Sequence, residues 1–241
     1  MLLPDKATRM ALGGYLPYLT GYWSSRRGPV EAGGTLMDNS GAVHSATLTA
    51  TCPVEAGVGL VGNGTDAYAV VGTNVYKTDT YGCFMCWAKL NASIIGLATS
   101  LFSLCVPTKA RMFAFAVIAS SRKPYWQYYD HPTNIVYNSN KALDSDWNHL
   151  CLLHTGSVNK IYVNGIDYGI SNIVGSGNRW CADMPADTYS TRIASMQWKT
   201  TTTNSYLLEG DMDEIMMLSD VAVDIANVRA VYECQRHLFG V

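Results

Sequence analysis

Apolar residues recur along this chain in short alternating or continuous runs, set apart by clusters of Gly, Asn, Asp, Ser and Thr, a pattern of strands joined by tight turns. The clearest stretch is 147–169, WNHLCLLHTGSVNKIYVNGIDYG. Trp147, His149, Cys151 and Leu153 alternate with their neighbours, residues 155–159 form a polar turn, and residues 160–163 run on in β-branched and aromatic residues. Asn164-Gly165 then closes a hairpin, because both residues tolerate the positive φ of a type I′ turn. The same reading places strands at 19–23, 82–89, 101–106, 112–119 and 124–129, and a hairpin-like pair at 58–61 and 67–71 across Gly-Asn-Gly-Thr-Asp. Continuous apolar runs in 101–106 and 112–119 predict strands covered on both faces. Residues 172–187 show no strand pattern. Helical spacing is clearest after Asp224, a good N-cap, where Ile225, Val228, Val231 and Tyr232 form one stripe and Arg229 and Arg236 face solvent.

Trp147/His149, the Tyr162 to Gly165 hairpin, Gly210 to Ile215 and Tyr232 come in an order that resembles the laminin G-like branch of the concanavalin A-like jelly rolls. Tyr22-Trp23, Asp38-Asn39-Ser40-Gly41 and Cys86-Trp87 extend the likeness, which covers about residues 19–236. It implies an all-β antiparallel jelly-roll sandwich with one short C-terminal helix, and it fixes a fold better than a function. Residues 19–241 are then the sandwich. Residues 1–18 read as an N-terminal arm outside it: Pro4, Gly13, Gly14 and Pro17 argue against a helix, while Leu2, Leu3, Met10, Leu12, Tyr15, Leu16 and Tyr18 are too apolar for a free tail. That arm is expected to contact a partner or a neighbouring subunit.

A length of 241 residues suits one large β domain. The net charge of −2, with Lys and Arg scattered, leaves no footprint for nucleic acid. Apolar runs fall well short of the ~18 residues of a membrane span. Interrupted by Gly13, Gly14 and Pro17, the leader makes a poor export signal. Seven cysteines are an odd number, and Cys83, Cys105 and Cys151 lie inside apolar runs, which favours maturation in a reducing compartment. Cys83 and Cys86 have metal-ligand spacing, but in a strand they point to opposite faces.

Candidate chemistry is sparse. Glu209-Gly210-Asp211-Met212-Asp213-Glu214 fits the Glu-x-Asp-x-x-Glu pattern of retaining β-glucanases, which work with two carboxyl groups ~5 Å apart. The interleaved Gly, Met and Asp suit that strand poorly, and the laminin G-like reading accounts for the same residues. Many relatives hold calcium, which makes Asp38, Asp66, Asp211 and Asp213 candidate ligands by resemblance, against the plain reading of satisfied turn aspartates. None of the five histidines has a recognised ligand spacing, and no nucleophile elbow is present.

Aromatic residues supply the positive hint of binding. In 124–129 Trp126 and Tyr128 share one face while Tyr125 and Tyr129 share the other, so one pair packs in the core and the other is left for a sugar or partner. Trp126, Tyr128, Trp180 and Trp198 are the ligand-binding candidates. Three functions are consistent with these features: a non-enzymatic virion component (phage head-decoration or tail-associated) held to capsid, tail or its own copies by the arm, a secreted carbohydrate-binding module taking cell-surface glycans, and a β-glucanase-like hydrolase. The first is the main expectation, since it accommodates the poor export signal and the unpaired thiols.

Overall fold

The computed structural model describes residues 4–92, 94, 96–196 and 206–241. In chain order its strands are β1 (Leu19–Trp23), β2 (Thr35–Leu36), β3 (Ala46–Leu48), β4 (Val54–Glu55), β5 (Gly59–Asn63), β6 (Ala69–Thr73), β7 (Gly82–Leu90), β8 (Ala98–Cys105) and β9 (Arg111–Ile118). They continue as β10 (Pro124–Asp130), β11 (Thr133–Ser139), β12 (Asn148–His154), β13 (Asn159–Val163), β14 (Ile166–Asp167), β15 (Ile170–Val174), β16 (Ser190–Ile193) and β17 (Glu209–Ser219). Helix α1 (Lys6–Leu12) precedes them and helix α2 (Ile225–Gln235) follows.

Two antiparallel sheets pack face to face, as a lectin-like jelly roll requires. Sheet A runs β14-β13-β12-β7-β17-β5-β4, with β1 added beside β17; sheet B runs β15-β11-β10-β9-β8-β16-β6-β3-β2. The central meander is present as read, with Leu150 opposite Val163 and the Asn164-Gly165 turn at φ 52° and 72°. Alternation decides what each strand buries. Phe84, Cys86, Leu150, Leu152, Met212 and Met217 of sheet A meet Leu101, Leu104, Phe113, Phe115 and Trp126 of sheet B in the inter-sheet core. Cys83, Met85, Cys151, Leu153, Tyr162, Met216 and Leu218 point the other way, into a second cluster closed by Leu12, Val228 and Val231 from the two helices. Sheet A is therefore buried on both faces.

Three expectations need correction. Residues 58–61 and 67–71 are not a hairpin: β5 belongs to sheet A and β6 to sheet B. The Asn63 side chain accepts the backbone N–H groups of Thr65, Asp66 and Ala67, and this turn carries the chain across the sandwich. Part of the 172–187 stretch is strand, since β15 pairs with β11 at the edge of sheet B. Nor do residues 4–18 lie outside the fold. Asp5 caps α1 through Thr8 N (2.8 Å), Leu12 is wholly buried, and Asn227 Nδ2 donates to the Ala11 carbonyl (3.0 Å). Gly13, Gly14 and Pro17 end the helix in a 3-10 turn instead of preventing it. Burying a Leu side chain is worth ~2 kcal/mol, enough to hold a two-turn helix that would not persist alone.

Candidate functional site

The outer face of sheet B carries aromatic, amide and small residues in register. Directly opposed residues of antiparallel strands share a face. Register puts Ser100, Ala116, Tyr125 and Asn138 in one row across β8, β9, β10 and β11. The next row is Arg192, Ser103, Ala114, Gln127 and Val136, with Arg192 from β16, and a third holds Cys105, Met112, Tyr129 and Asn134. Small residues on β8 and β9 thus line this face beside the rings and amides of β10 and β11, and they are buried. Tyr206 packs against two buried clusters of this face, one with Met112 and Ala114 and one with Ala116 and Tyr125.

Polar groups are left over along this wall. Gln127 Nε2 donates to Asn134 Oδ1 (2.8 Å), which leaves the Gln127 carbonyl and the Asn134 amide N–H beside the half-buried Tyr129 ring with no further partner among the described residues. Asn138 Oδ1 and Ser100 Oγ, in the same row as Tyr125, are buried with no partner among the described residues. Burial pushes the Tyr125 hydroxyl up, with Tyr206 adding to the shift, so Tyr125 remains neutral. At the far end Arg192 lies over the Tyr68 ring, 5.2 Å from its centroid, and donates to Ser190 Oγ (3.0 Å). One acceptor and one donor left on this amide pair suit the hydroxyl groups of a sugar.

The structure therefore reverses the face expected for the aromatic strand. Trp126 and Trp180 are 0% and 1% exposed. Trp126 stacks on Tyr137 at 5.3 Å, and Trp180 stacks on His154 at 5.4 Å within the inter-sheet core. Tyr128 is also buried, donating to the Asp183 carbonyl (3.1 Å). None of these three offers a flat ring to a ligand, and Trp198 lies outside the described residues. Tyr125 and Tyr129 point to the other face of sheet B, Tyr125 buried and Tyr129 half-buried. A sequence signal for this existed in β9, where Phe113, Phe115 and Val117 alternate with Ala114 and Ala116, so that the bulky face had to be the core face.

The candidate calcium ligands do not converge. Asp38 accepts from Tyr22 N (2.9 Å), Ser40 N (2.8 Å), Ser40 Oγ (2.9 Å) and His44 N (2.9 Å), so its carboxylate is consumed in its own turn. Asp66 is held by Asn63 Nδ2 (2.7 Å). Asp213 accepts from Ser25 N (2.8 Å) and Ser25 Oγ (2.6 Å), while Asp211 stands opposite Lys89, its pKa raised by burial and by Glu55. Among the described residues no three His, Cys, Asp or Glu side chains gather as a metal-binding set. Asp38, Asp211 and Asp213 thus stand in separate local settings, as turn and strand aspartates with their own neighbours.

The Glu-x-Asp-x-x-Glu pattern is also taken apart by local structure. Pairing of β17 with β7 is interrupted between Asp213 and Met216, and Glu214 sits in this bulge at φ 47°. Its wholly buried carboxylate accepts from Tyr22 Oη (2.6 Å), Ser24 Oγ (2.6 Å) and Gln235 Nε2 (3.1 Å) and is paired with Arg26 Nε (2.8 Å). Burial first, and Asp213 second, raise its pKa against the pull of Arg26 and the hydroxyls. A carboxylate enclosed in this way has no lone pair free for a substrate.

No family model matches the chain, and no curated protein does. Solved structures do. The carbohydrate-binding module CBM40 of the Ruminococcus gnavus IT-sialidase, bound to α2,3-sialyllactose, aligns over 65% of this chain and 84% of its own at 15% identity and a TM-score of 0.53. Domain 4 of AbnA, a GH43 extracellular arabinanase from Geobacillus stearothermophilus, in complex with arabinotriose, aligns over 89% and 98% at 13% identity and a TM-score of 0.53. Trypanosoma rangeli sialidase in complex with 2,3-difluorosialic acid aligns over 92% of this chain but 34% of its own, at 14% identity and a TM-score of 0.62. At these identities the likeness is one of fold: a β-sandwich shared with carbohydrate-binding modules and glycoside hydrolase domains.

Proposed function

We propose that this protein is a non-catalytic glycan-binding module whose sugar site lies on the outer face of sheet B, against Tyr129, Gln127 and Asn134. The observation that carries the reading is the Gln127–Asn134 amide pair, which keeps one acceptor and one donor on the strands that carry Tyr129. Pyranose and furanose rings stack an apolar C–H face on an aromatic ring while their hydroxyls bond at its margin, so both parts of the recognition are supplied by neighbouring residues. Its structural neighbours, which include sandwiches solved with sialyllactose and arabinotriose, add support for carbohydrate over other ligands. They offer nothing toward capsid or tail partners, so the glycan-binding alternative replaces the virion role as the main reading. The structural partners that hold Glu214 weigh against the β-glucanase-like alternative.

The test is a glycan array followed by calorimetric titration of the best hits, with sialylated and arabinan oligosaccharides included. Tyr129→Ala and Gln127→Ala are each expected to weaken binding about tenfold, a loss of ~1.4 kcal/mol, with the circular dichroism spectrum unchanged. Failure to bind any arrayed glycan, or binding indifferent to both substitutions, refutes the reading.

A further inference from the structure

Cys83 on β7 and Cys151 on β12 place their sulfurs 3.2 Å apart. Both are wholly buried on the outer side of sheet A, beneath the layer that holds α1 and α2. Register pairs Cys83 with Leu153 and Cys151 with Met85, so the two are diagonal neighbours on adjacent strands and on the same face. A covalent S–S bond is ~2.05 Å long, about 1 Å less than the present separation, and side-chain rotation can supply much of that change. Cys86 does not compete, because it points into the inter-sheet core.

We propose that Cys83 and Cys151 are a cross-linking site, forming a disulfide between β7 and β12 when the chain folds in oxidising surroundings. With oxidised glutathione as the oxidant, each protein sulfur gives up one proton and one electron. The glutathione disulfide is cleaved to two thiols, and one protein S–S bond replaces it. Exchange proceeds through a thiolate attacking a disulfide sulfur. Burial, and then Cys83 itself, holds the Cys151 thiol protonated in the finished fold, which dates the reaction to folding, before α1 and α2 close over the strands. The bond would close a loop that contains β8, β9, β10 and β11, the four strands that build the face with Tyr125, Gln127 and Tyr129. Fewer unfolded conformations of that loop mean a more stable fold.

The experiment refolds the full-length chain in a reduced/oxidised glutathione buffer and, in parallel, in dithiothreitol. Free thiols are then alkylated under denaturing conditions, and intact mass and a digest are measured. The oxidised sample is expected to take up five alkyl groups, the seven cysteines less the two in the bond, with Cys83 and Cys151 in one cross-linked peptide. Its melting midpoint is expected to lie roughly 5 to 10 °C above that of the reduced sample. Cys83→Ala and Cys151→Ala should each remove the sensitivity to reductant. Seven alkylated thiols after oxidative refolding, or a bond between other cysteines, overturn the proposal. If refolding from denaturant fails, soluble protein made in an oxidising secretory compartment is alkylated and counted in the same way: five alkyl groups with the Cys83–Cys151 peptide support the site, and seven overturn it.

Discussion

His149 shows how far a side chain can be removed from water without gaining a partner. It is wholly buried, packed between Trp87 (5.4 Å between ring centres) and Tyr232 (6.1 Å), and neither ring nitrogen has a hydrogen-bond partner among the described residues. Burial lowers its pKa to about 3, so the native state holds the neutral ring. The unfolded chain takes up a proton near pH 6.5, and below that pH the unfolded state binds more protons than the native one. Stability that is complete above pH 6.5 is therefore lost as pH falls toward 3, at ~1.4 kcal/mol per pH unit. His149→Phe keeps the stacking and has nothing to protonate. It is expected to flatten this acid limb in urea melts taken between pH 7 and pH 4, and to stabilise the protein by ~1 kcal/mol at pH 7 by removing two unpaired polar atoms. An acid limb as steep as in the parent protein would assign it to other groups. Asp79 works in the opposite sense. Burial raises its pKa to about 6, so the fold favours the protonated acid and loses stability as pH rises from the ordinary carboxylate range through 6. Asp79→Asn should stabilise the protein at pH 8 by ~2 kcal/mol and change little at pH 4, as urea melts at the two pH values will show.

At the scale of elements, the helices that cover sheet A carry the next prediction. Leu12 is the α1 residue at the centre of that layer, and Leu12→Ala is expected to cost ~2 to 4 kcal/mol in chemical denaturation, against near zero for the exposed Met10→Ala. Equal effects would show that α1 lies loosely on the sheet. The sequence announced α2 and the central meander because each combines periodicity with a local signal: Asp224 as a cap whose carboxylate accepts from Ala226 N (2.9 Å), and Asn-Gly as a turn. It concealed α1 because a two-turn helix has too few residues to display a period, and its stability comes from Leu12 meeting a face built by residues some 200 positions later. Strand β15 was hidden for a similar reason: four of its five residues are exposed, so its apolar residues follow no core. The aromatic strand β10 revealed its alternation but not its orientation. Local pattern gives two faces, and only the pairing with Ala114 and Ala116 of β9 says which one is outside.

For the molecule as a whole, Glu214 is where the two ends of the chain are tied to its centre. The hydroxyls of Tyr22 and Ser24 and the guanidinium of Arg26 reach it from the N-terminal side, and Gln235 Nε2 reaches it from α2 while also approaching Thr8 Oγ1 of α1 (3.2 Å). Gln235 Oε1 in turn accepts from Trp87 Nε1 (2.9 Å), which extends the set to β7. In a low-dielectric interior such a set behaves as a unit: removing the central acceptor strands several buried donors at once and leaves Arg26 with Asp5 (3.3 Å) as its remaining ionic partner among the described residues. The left-handed backbone of Glu214, which costs ~1 kcal/mol or more outside Gly, is held in place by these same bonds. Glu214→Ala is therefore expected to destabilise the fold by ~3 kcal/mol in equilibrium denaturation. Its more specific signature is in hydrogen exchange: amides of α1 and α2 should lose protection together, while those of β8 and β9 in sheet B, which share no bond with Glu214, keep theirs until global unfolding. Loosening of α2 alone would mean that Thr8 and Gln235 are neighbours without being coupled, and that the N-terminal helix is held by its apolar face and not by this network.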